Sequence, residues 1–155
     1  MIHENFNEMI GKGALLCATD KDGGHNPMTV SWGARGILWG KDVCFVFVRH
    51  SRYTYQFSES GSTMTLSFFD ESRKDTLAFC GTKTGRDVDK FRACDLKFDI
   101  VEGGVVFKDA KRTLILKKLY CDDVKKECFT DMEPLKWYKD NDFHRVYVCE
   151  VIKEI

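Results

Sequence analysis

A polar segment in the first third of the chain carries the donor chemistry of an anion-binding site. Arg49 and Arg52 each supply a guanidinium group, and Ser51 and Thr54 each supply a hydroxyl group. Ser51 is a preferred helix N-cap residue, a helical pattern follows it, and Gly61 stands where that helix is expected to end. The N–H groups of a helix start and nearby guanidinium groups both bind phosphate. The segment therefore predicts a phosphate site, with a capped helix and solvated arginines as the alternative.

A second polar loop lies between two predicted helices. It consists of Gly81, Thr82, Lys83, Thr84, Gly85 and Arg86. A loop of glycines and hydroxyls is found in many connections that bind nothing, so a solvated connector is the alternative to a binding loop.

The elements that must position these residues are mostly short strands. Strand patterns cover residues 14–19, 28–32, 36–39, 43–48, 62–69, 97–101, 105–108, 114–120 and 145–152. Turn residues at 20–24 and 40–42 separate the first pairs. Apolar residues alternate with hydroxyl residues across 62–69, which predicts a half-buried strand. Closely spaced strands with turns between them favour a closed or partly closed barrel over a parallel α/β sheet.

Short helices are expected between the strands. Residues 72–75 have the spacing of a capping box, and Gly81 is expected to stop the helix that follows. Asp87 is expected to cap a further turn that runs to Phe91.

The order of these pieces resembles the flavin reductase-like family of FMN-binding split barrels, and within it the flavoredoxin branch. The resemblance is carried by residues 26–32 (NPMTVSW), a strand ending at Arg49, the hydroxyls of Ser51 and Thr54, and residues 80–91 (CGTKTGRDVDKF). It extends over residues 10–152. It implies a mainly β, Greek-key split β-barrel with a few short helices, formed as one FMN-binding domain over residues 1–155.

The resemblance also implies which residues hold FMN. In the family a strand backbone grips the edge of the isoalloxazine ring, and a helix start rich in hydroxyls holds the phosphate. The predicted FMN-binding residues are Asn26, Met28, Thr29, Val30, Ser31, Trp32, Arg49, His50, Ser51, Arg52, Thr54, Gly81, Lys83, Thr84, Gly85 and Lys90. The family pattern favours Trp32 over Trp39 as cover for a ring face, and a core position for either tryptophan is the alternative.

Lys90 and His144 are the side chains expected to influence the chemistry, and no side chain is assigned as an obligatory acid or base. A cation at Lys90 would stabilise the negative charge of a reduced flavin, and an exposed helical lysine is the alternative. The resemblance supports contact of His144 with a nicotinamide donor or with a partner subunit. A structural histidine at the start of the last strand is the alternative. His3 and His25 are interpreted as terminal and loop-borne.

The resemblance implies an NAD(P)H:flavin oxidoreductase that passes electrons to free flavin or to a protein acceptor. Two alternatives stay open: an electron carrier of the flavoredoxin type that another protein reduces, and a flavin-binding module without turnover. The chain lacks G-x-G-x-x-G, so NAD(P)H is expected to dock transiently on the flavin. A homodimer is expected, in which Trp137 and Tyr138 of the second chain complete the pocket.

Composition excludes several other classes. Lys plus Arg and Asp plus Glu both number 24, which argues against a nucleic-acid-binding protein. Neither a long apolar run nor an apolar N-terminal segment is present, so we expect no membrane span and no signal peptide, and a cytoplasmic location.

The seven cysteines do not form a metal-binding pattern. Their number is odd and no two have C-x-x-C spacing, so no metal site is predicted. Cys17, Cys44 and Cys149 lie in apolar strand patterns, where a thiol fills a core, while the role of Cys80 stays open.

Overall fold

A computed structural model of the chain describes residues 5–155, so His3 lies outside the described residues. The strands are β1 Ala14–Thr19, β2 His25–Val30, β3 Gly33–Leu38, β4 Lys41–Arg49, β5 Thr63–Phe68, β6 Phe98–Val101, β7 Gly104–Phe107, β8 Arg112–Asp123 and β9 His144–Glu154. The α-helices are α1 Phe6–Lys12, α2 Thr54–Ser60, α3 Lys74–Thr82 and α4 Lys90–Ala93. Short 3₁₀ helices cover Glu71–Arg73, Lys126–Cys128 and Glu133–Tyr138. Among the described residues, each helix is too short or too polar to cross a lipid bilayer.

One antiparallel sheet forms the frame of the molecule. Its strand order is β2-β1-β5-β8-β9-β4-β3, so β2 and β3 are its two edges. Only Ser31 and Trp32 connect these two strands. An open sheet of this width spans roughly 29 Å, whereas so short a connection reaches roughly 10 Å. The sheet must therefore curl until its edges approach each other, and the predicted split β-barrel is confirmed.

The barrel interior and an outer layer form two separate cores. On β1, Leu16 and its like-facing neighbours point into the barrel, where they join Val46 and Tyr147. Leu15 and Cys17 point to the other face and pack against residues of α3, α4 and the β6–β7 hairpin. β1 is thus buried on both faces. The predicted burial of Cys17, Cys44 and Cys149 is confirmed.

The prediction that the 62–69 strand is half-buried is wrong. β5 is covered on both faces, because the β6–β7 hairpin lies over its hydroxyl-bearing side. The buried Thr65 hydroxyl donates to the Val105 carbonyl oxygen at 2.8 Å, and the Ser67 and Thr113 hydroxyls are 3.1 Å apart. Because these hydroxyls are hydrogen-bonded, their burial carries no large penalty.

Helix boundaries near the second polar loop also differ from the predictions. Asp70, and not Ser72, caps the turn that leads into α3, since its side chain accepts from the Ser72 N–H. α3 continues past Gly81, where a Cβ atom would lie 3.3 Å from Thr29 Cβ of β2. This glycine therefore reflects close packing of α3 on β2. α4 is capped by Asp89 and not by Asp87.

Candidate functional site

A cavity of about 200 Å³, here the edge cavity, opens beside the outer edge of β2. It is lined by Met28, Thr29, Val30, Ser31, Trp32, Phe47, Arg49, Arg52 and His144. Within the described residues β2 pairs only with β1, so the backbone groups along its other edge have no strand partner. Such groups match the donors and acceptors at the edge of a planar heterocycle.

A second cavity of about 140 Å³, here the cation cavity, adjoins the first because Arg52 lines both. It is lined by Asn26, Ser51, Arg52, Tyr53, Thr54, Thr82, Lys83, Thr84, Arg86 and Lys90. Every charged side chain in this lining is basic, and hydroxyl groups stand between the cations. Concentrated positive charge with hydroxyl donors suits an anion such as phosphate.

Arg49 and Ser51 are engaged by a distant segment of the same chain. The Ser51 N–H donates to the Asp142 carboxylate at 3.2 Å, and the Ser51 hydroxyl donates to the same carboxylate. The Arg49 guanidinium donates to the carbonyl oxygens of Asp142 at 2.7 Å and Trp137 at 2.9 Å. These donors therefore hold the segment before β9 against the end of β4. Phosphate binding by Arg49 and Ser51 stays a prediction.

The prediction that Ser51 is a helix N-cap is wrong. α2 begins at Thr54, its N-cap residue is Tyr53, and no side chain caps it. Ser51 lies three positions before the helix begins, and its N–H and hydroxyl both donate to Asp142.

Arg52 and Thr54 connect the elements around the two cavities. The Arg52 guanidinium donates to the carbonyl oxygens of Gly81 at 3.1 Å and Cys80 at 3.4 Å, at the end of α3. The Thr54 hydroxyl accepts from the Asn26 side-chain amide of β2 at 2.8 Å. Hydrogen-bonding groups that lie far apart in the sequence are thereby brought together at one side of the two cavities.

Lys90 is buried, with 2% of its surface exposed, so the alternative of an exposed helical lysine is wrong. Its ammonium group donates to the carbonyl oxygens of Pro27 at 2.8 Å and Cys80 at 3.0 Å. Burial, and secondarily the Arg52 charge, lowers the pKa of Lys90 to about 8. Lys90 lines the cation cavity, and its bond to Pro27 places its charge on the β2 backbone beside the edge cavity.

Gly85 of the second polar loop packs closely at the cation cavity, while Thr82, Lys83 and Arg86 of the same loop are exposed. A Cβ atom on Gly85 would lie 2.1 Å from Asn26 Oδ1 and 2.8 Å from Tyr53 Cδ1. Only glycine fits there without displacing both neighbours. The Arg86 guanidinium lies 5.1 Å from the Tyr53 ring centroid, which orients it over the same ring.

Aromatic rings surround the mouth of the edge cavity. The Trp32 ring lies edge-on to the rings of Trp137 and His144, with centroid distances of 5.2 Å and 5.4 Å. His144 is 8% exposed, and burial together with the Arg49 charge lowers its pKa to about 4. Trp32 is 42% exposed and Trp39 is 58% exposed, so a core position for either tryptophan is wrong.

Three predicted site residues, His50, Gly81 and Gly85, line neither cavity, and Gly81 and Gly85 line neighbouring pockets. His50 lines neither cavity, because its Nε2 lies 2.7 Å from the Asp123 carboxylate and its ring stacks on Tyr55. Loop-borne His25 is instead the first residue of β2.

Sequence reasoning missed several residues of the site. Phe47 lines the edge cavity, and alternation along its strand was a signal that it faces away from the barrel core. Tyr53 lines the cation cavity, and its position beside predicted residues was a weak signal; Thr82 and Arg86 also line it and were named in the second polar loop, but not among the FMN-binding residues. Asp142 had no signal, since it is 91 positions from its partner Ser51.

Comparison with known proteins agrees with this architecture. The family model described as "Flavin reductase like domain" matches residues 8–115. A search of curated proteins found no match.

Several solved structures are similar in fold. A flavoredoxin from Methanosarcina acetivorans has a TM-score of 0.71 and 19% identity, over 92% of this chain and 67% of that one. An FMN-binding protein from Thermus thermophilus has a TM-score of 0.71 and 19% identity, over 100% and 76%. An NADH:FAD oxidoreductase from Streptomyces globisporus has a TM-score of 0.69 and 12% identity, over 92% and 73%. At these identities the likeness shows a common fold.

The burial of Lys90 generates a prediction about its titration. We expect a ¹³C NMR titration of its side-chain Cε to give a midpoint near pH 8, because burial and Arg52 both disfavour the charged form. The folded protein then binds fewer protons than the unfolded chain above that pH. Stability relative to a Lys90→Met variant should therefore rise as the pH increases from about 8 to about 10.4.

Arg52→Gln is the matched variant for this titration. Removing the Arg52 charge should move the Lys90 midpoint upward, and a wild-type midpoint at the ordinary lysine value would contradict the described burial.

Proposed function

The chain belongs to the flavin reductase-like domain family, and from this premise we propose that it is an FMN-binding NAD(P)H:flavin oxidoreductase. In this proposal it accepts hydride from NAD(P)H and passes electrons to free flavin or to a protein acceptor. We also propose that residues 1–155 form one FMN-binding domain.

The observation that carries the proposal is the pair of adjoining cavities with complementary chemistry. The edge cavity offers a strand backbone and the indole of Trp32, which suit a planar heterocyclic ring. The cation cavity offers basic and hydroxyl side chains, which suit a phosphate. Arg52 lies where the two meet. A molecule with a ring at one end and a phosphate at the other fits this arrangement, and FMN has that form.

Each part of the site has a proposed task. The backbone of residues 28–31 holds the ring edge, and Trp32 covers a ring face. Thr54 and the loop residues Gly81, Lys83, Thr84 and Gly85 shape the phosphate end. Bound flavin supplies the hydride chemistry, so the protein needs to position it and set its electrostatics.

Lys90 has an electrostatic task in this proposal. Its charge reaches the β2 backbone through the Pro27 carbonyl, 2.8 Å from Nζ. In a site screened from water, a fixed cation stabilises a reduced, negatively charged ring and raises its reduction potential. His144 is proposed to contact the nicotinamide donor.

A second candidate function is an electron carrier of the flavoredoxin type, reduced by another protein. Trp137 is 54% exposed and packs on the exposed Trp32 at the mouth of the edge cavity. Exposed aromatic rings beside a redox site are typical of docking surfaces. This observation favours a protein as the electron-transfer partner. The third function, a flavin-binding module without turnover, is favoured by no specific observation.

Turnover distinguishes these functions. We expect purified protein to show the absorbance of oxidised flavin. We also expect it to oxidise NADH or NADPH faster when free flavin is added, because free flavin accepts electrons from the reduced site. The rate of NADH or NADPH oxidation is measured from the loss of nucleotide absorbance at steady state. Reduction only by an iron–sulfur protein would favour the carrier, and a colourless protein that takes up no FMN would sink the proposal.

The lining of the cation cavity leads us to predict that Arg86 binds the phosphate. Arg86→Gln removes a charge-assisted contact worth about 1.5 to 3 kcal/mol, so FMN affinity should fall tenfold or more. Riboflavin, which lacks the phosphate, should bind almost as before. Titration of intrinsic flavin fluorescence measures both ligands.

Two variants serve as controls for this experiment. Lys108→Gln changes an exposed cation on the β6–β7 hairpin side and should leave both affinities unchanged. Arg49→Ala should weaken FMN and riboflavin alike, because Arg49 holds the carbonyl oxygens of Trp137 and Asp142. Equal losses of affinity for FMN and riboflavin in Arg86→Gln would show that the phosphate does not bind in the cation cavity.

We also propose a homodimer. The edge strand β3 and its turn expose Ile37 at 78% and Trp39 at 58%, and Trp39 lies 6.3 Å from the half-exposed Tyr120 ring. An apolar patch at a sheet edge favours burial against a symmetric copy. Trp137 and Tyr138 contact Trp32 and His144 of their own chain here, and their contribution to a second chain's pocket stays a prediction.

Light scattering at micromolar concentration tests this assembly. Wild-type protein should have twice the mass of the chain, and Trp39→Glu should shift it towards monomer because it buries a charge in the interface. Ile100→Glu, at a similarly exposed apolar position on the β6–β7 hairpin, should stay dimeric. A wild-type monomer with flavin bound would contradict the homodimer.

A further inference from the structure

Tyr138 and His144 form a hydrogen-bonded pair in the wall of the edge cavity. His144 is the first residue of β9 and stands opposite Arg49 in the β4–β9 register. The imidazole lines the cavity together with Phe47, whose ring centroid lies 6.2 Å away. The Tyr138 hydroxyl lies 2.7 Å from Nδ1 of His144. A phenol is thus joined to an imidazole that borders the cavity.

The contacts of this pair bear on which imidazole nitrogen carries the proton. Within the described residues, Nδ1 of His144 is the hydrogen-bond partner of the Tyr138 hydroxyl. If that hydroxyl accepted from Nδ1–H, its own proton would have no protein acceptor there. Donation from the hydroxyl to Nδ1 satisfies both groups within the protein, and it places the proton of the neutral imidazole on Nε2. Nε2–H is the donor left for a molecule in the edge cavity.

The charges around the pair keep it neutral and anchored. Arg49 from β4 and Asp142 from the preceding loop face His144, and burial and Arg49 lower its pKa to about 4. Burial raises the pKa of Tyr138, so the phenol holds its proton at neutral pH. The Arg49 guanidinium lies 5.0 Å from the Tyr138 ring centroid. This cation favours negative charge that develops on the phenol oxygen.

We propose that Tyr138 and His144 deliver a proton to a conjugated carbonyl acceptor, quinones included, that takes up hydride in the edge cavity. The inference rests on the proposed flavin function and names the class of acceptor. His144 touches the acceptor as its proton donor, and Tyr138 acts through His144 as a positioning residue and proton reserve.

The transfer balances in atoms and charge. Bound flavin, once reduced by NAD(P)H, would supply the acceptor with a hydride and its two electrons. Its carbonyl oxygen gains the Nε2 proton of His144 as the Tyr138 proton moves to Nδ1. The imidazole stays neutral. The phenolate formed beside Arg49 then takes the Nδ1 proton back while Nε2 regains a proton from water, which restores the pair. The net reaction adds two hydrogens to the acceptor.

Other acceptors have less need of this device. An iron–sulfur centre or ferricyanide takes electrons without a proton at a defined atom. A conjugated carbonyl compound accumulates negative charge on oxygen as hydride arrives, so a donor within hydrogen-bond reach lowers its barrier. The neutral pair therefore favours the carbonyl class.

The first test needs no flavin chemistry. ¹⁵N NMR of the 155-residue chain without added flavin reports the His144 tautomer at pH 7. We expect the Nε2–H form in wild-type protein and a mixture of both tautomers in Tyr138→Phe, which keeps the ring and removes the hydroxyl. A wild-type imidazole protonated on Nδ1 would overturn the proposal.

The second test compares two oxidants of the FMN-loaded, reduced protein by stopped flow. Menadione serves as the quinone and ferricyanide as the oxidant that needs no proton. We expect Tyr138→Phe to lower the ratio of the menadione rate to the ferricyanide rate about tenfold or more. Tyr120→Phe removes an exposed hydroxyl bonded to Asp122, and that ratio should stay at the wild-type value.

The outcomes separate the two proposals. An unchanged ratio in Tyr138→Phe, or equal slowing with both oxidants, would assign Tyr138 a structural role only and overturn the inference. A chain that takes up no FMN would defeat the proposed function and the acceptor class with it, while the tautomer measurement still tests the Tyr138–His144 pair by itself.

Discussion

The short connection between the two edge strands is the constraint on which the rest of the structure depends. Ser31 and Trp32 alone join β2 to β3, at opposite ends of the strand order. The sheet must curl to satisfy that connection, and it closes without pairing its edges. The backbones of β2 and β3, at the two ends of the strand order, are therefore each left with one unpaired edge. The edge cavity is the direct result of this incomplete closure.

The second cavity depends on buried polar groups that stabilise one another. The ammonium group of Lys90 and the guanidinium group of Arg52 both donate to the Cys80 carbonyl oxygen at the end of α3. Asn26 joins β2 to α2 through the Thr54 hydroxyl. Burying cations is costly unless donors are satisfied, and these carbonyl bonds offset that cost. Positive charge thus persists at the point where both cavities meet, although the whole chain is formally neutral.

The segment before β9 changes the character of the site. Arg49 and Ser51 bind its backbone and Asp142, while Trp137 and Tyr138 bring aromatic rings over the cavity mouth. The Asp142 carboxylate beside Ser51 opposes a second anion there, and phosphate binding by Arg49 and Ser51 stays a prediction. The same segment holds the phenol against the buried imidazole. One loop therefore influences both anion placement and proton placement.

Local pattern by itself determined the strands, the hairpins and the mainly β class, because alternation and turn residues act over a few neighbours. The spaced motifs at residues 26–32 and 80–91 also identified the family, which the match over residues 8–115 confirms. Only the tertiary structure decided that Lys90 is buried, that Ser51 faces Asp142 and that His50 turns away to Asp123. Each of these depends on a partner or a covering element far along the chain, and local spacing carries no information about which distant group will satisfy a donor.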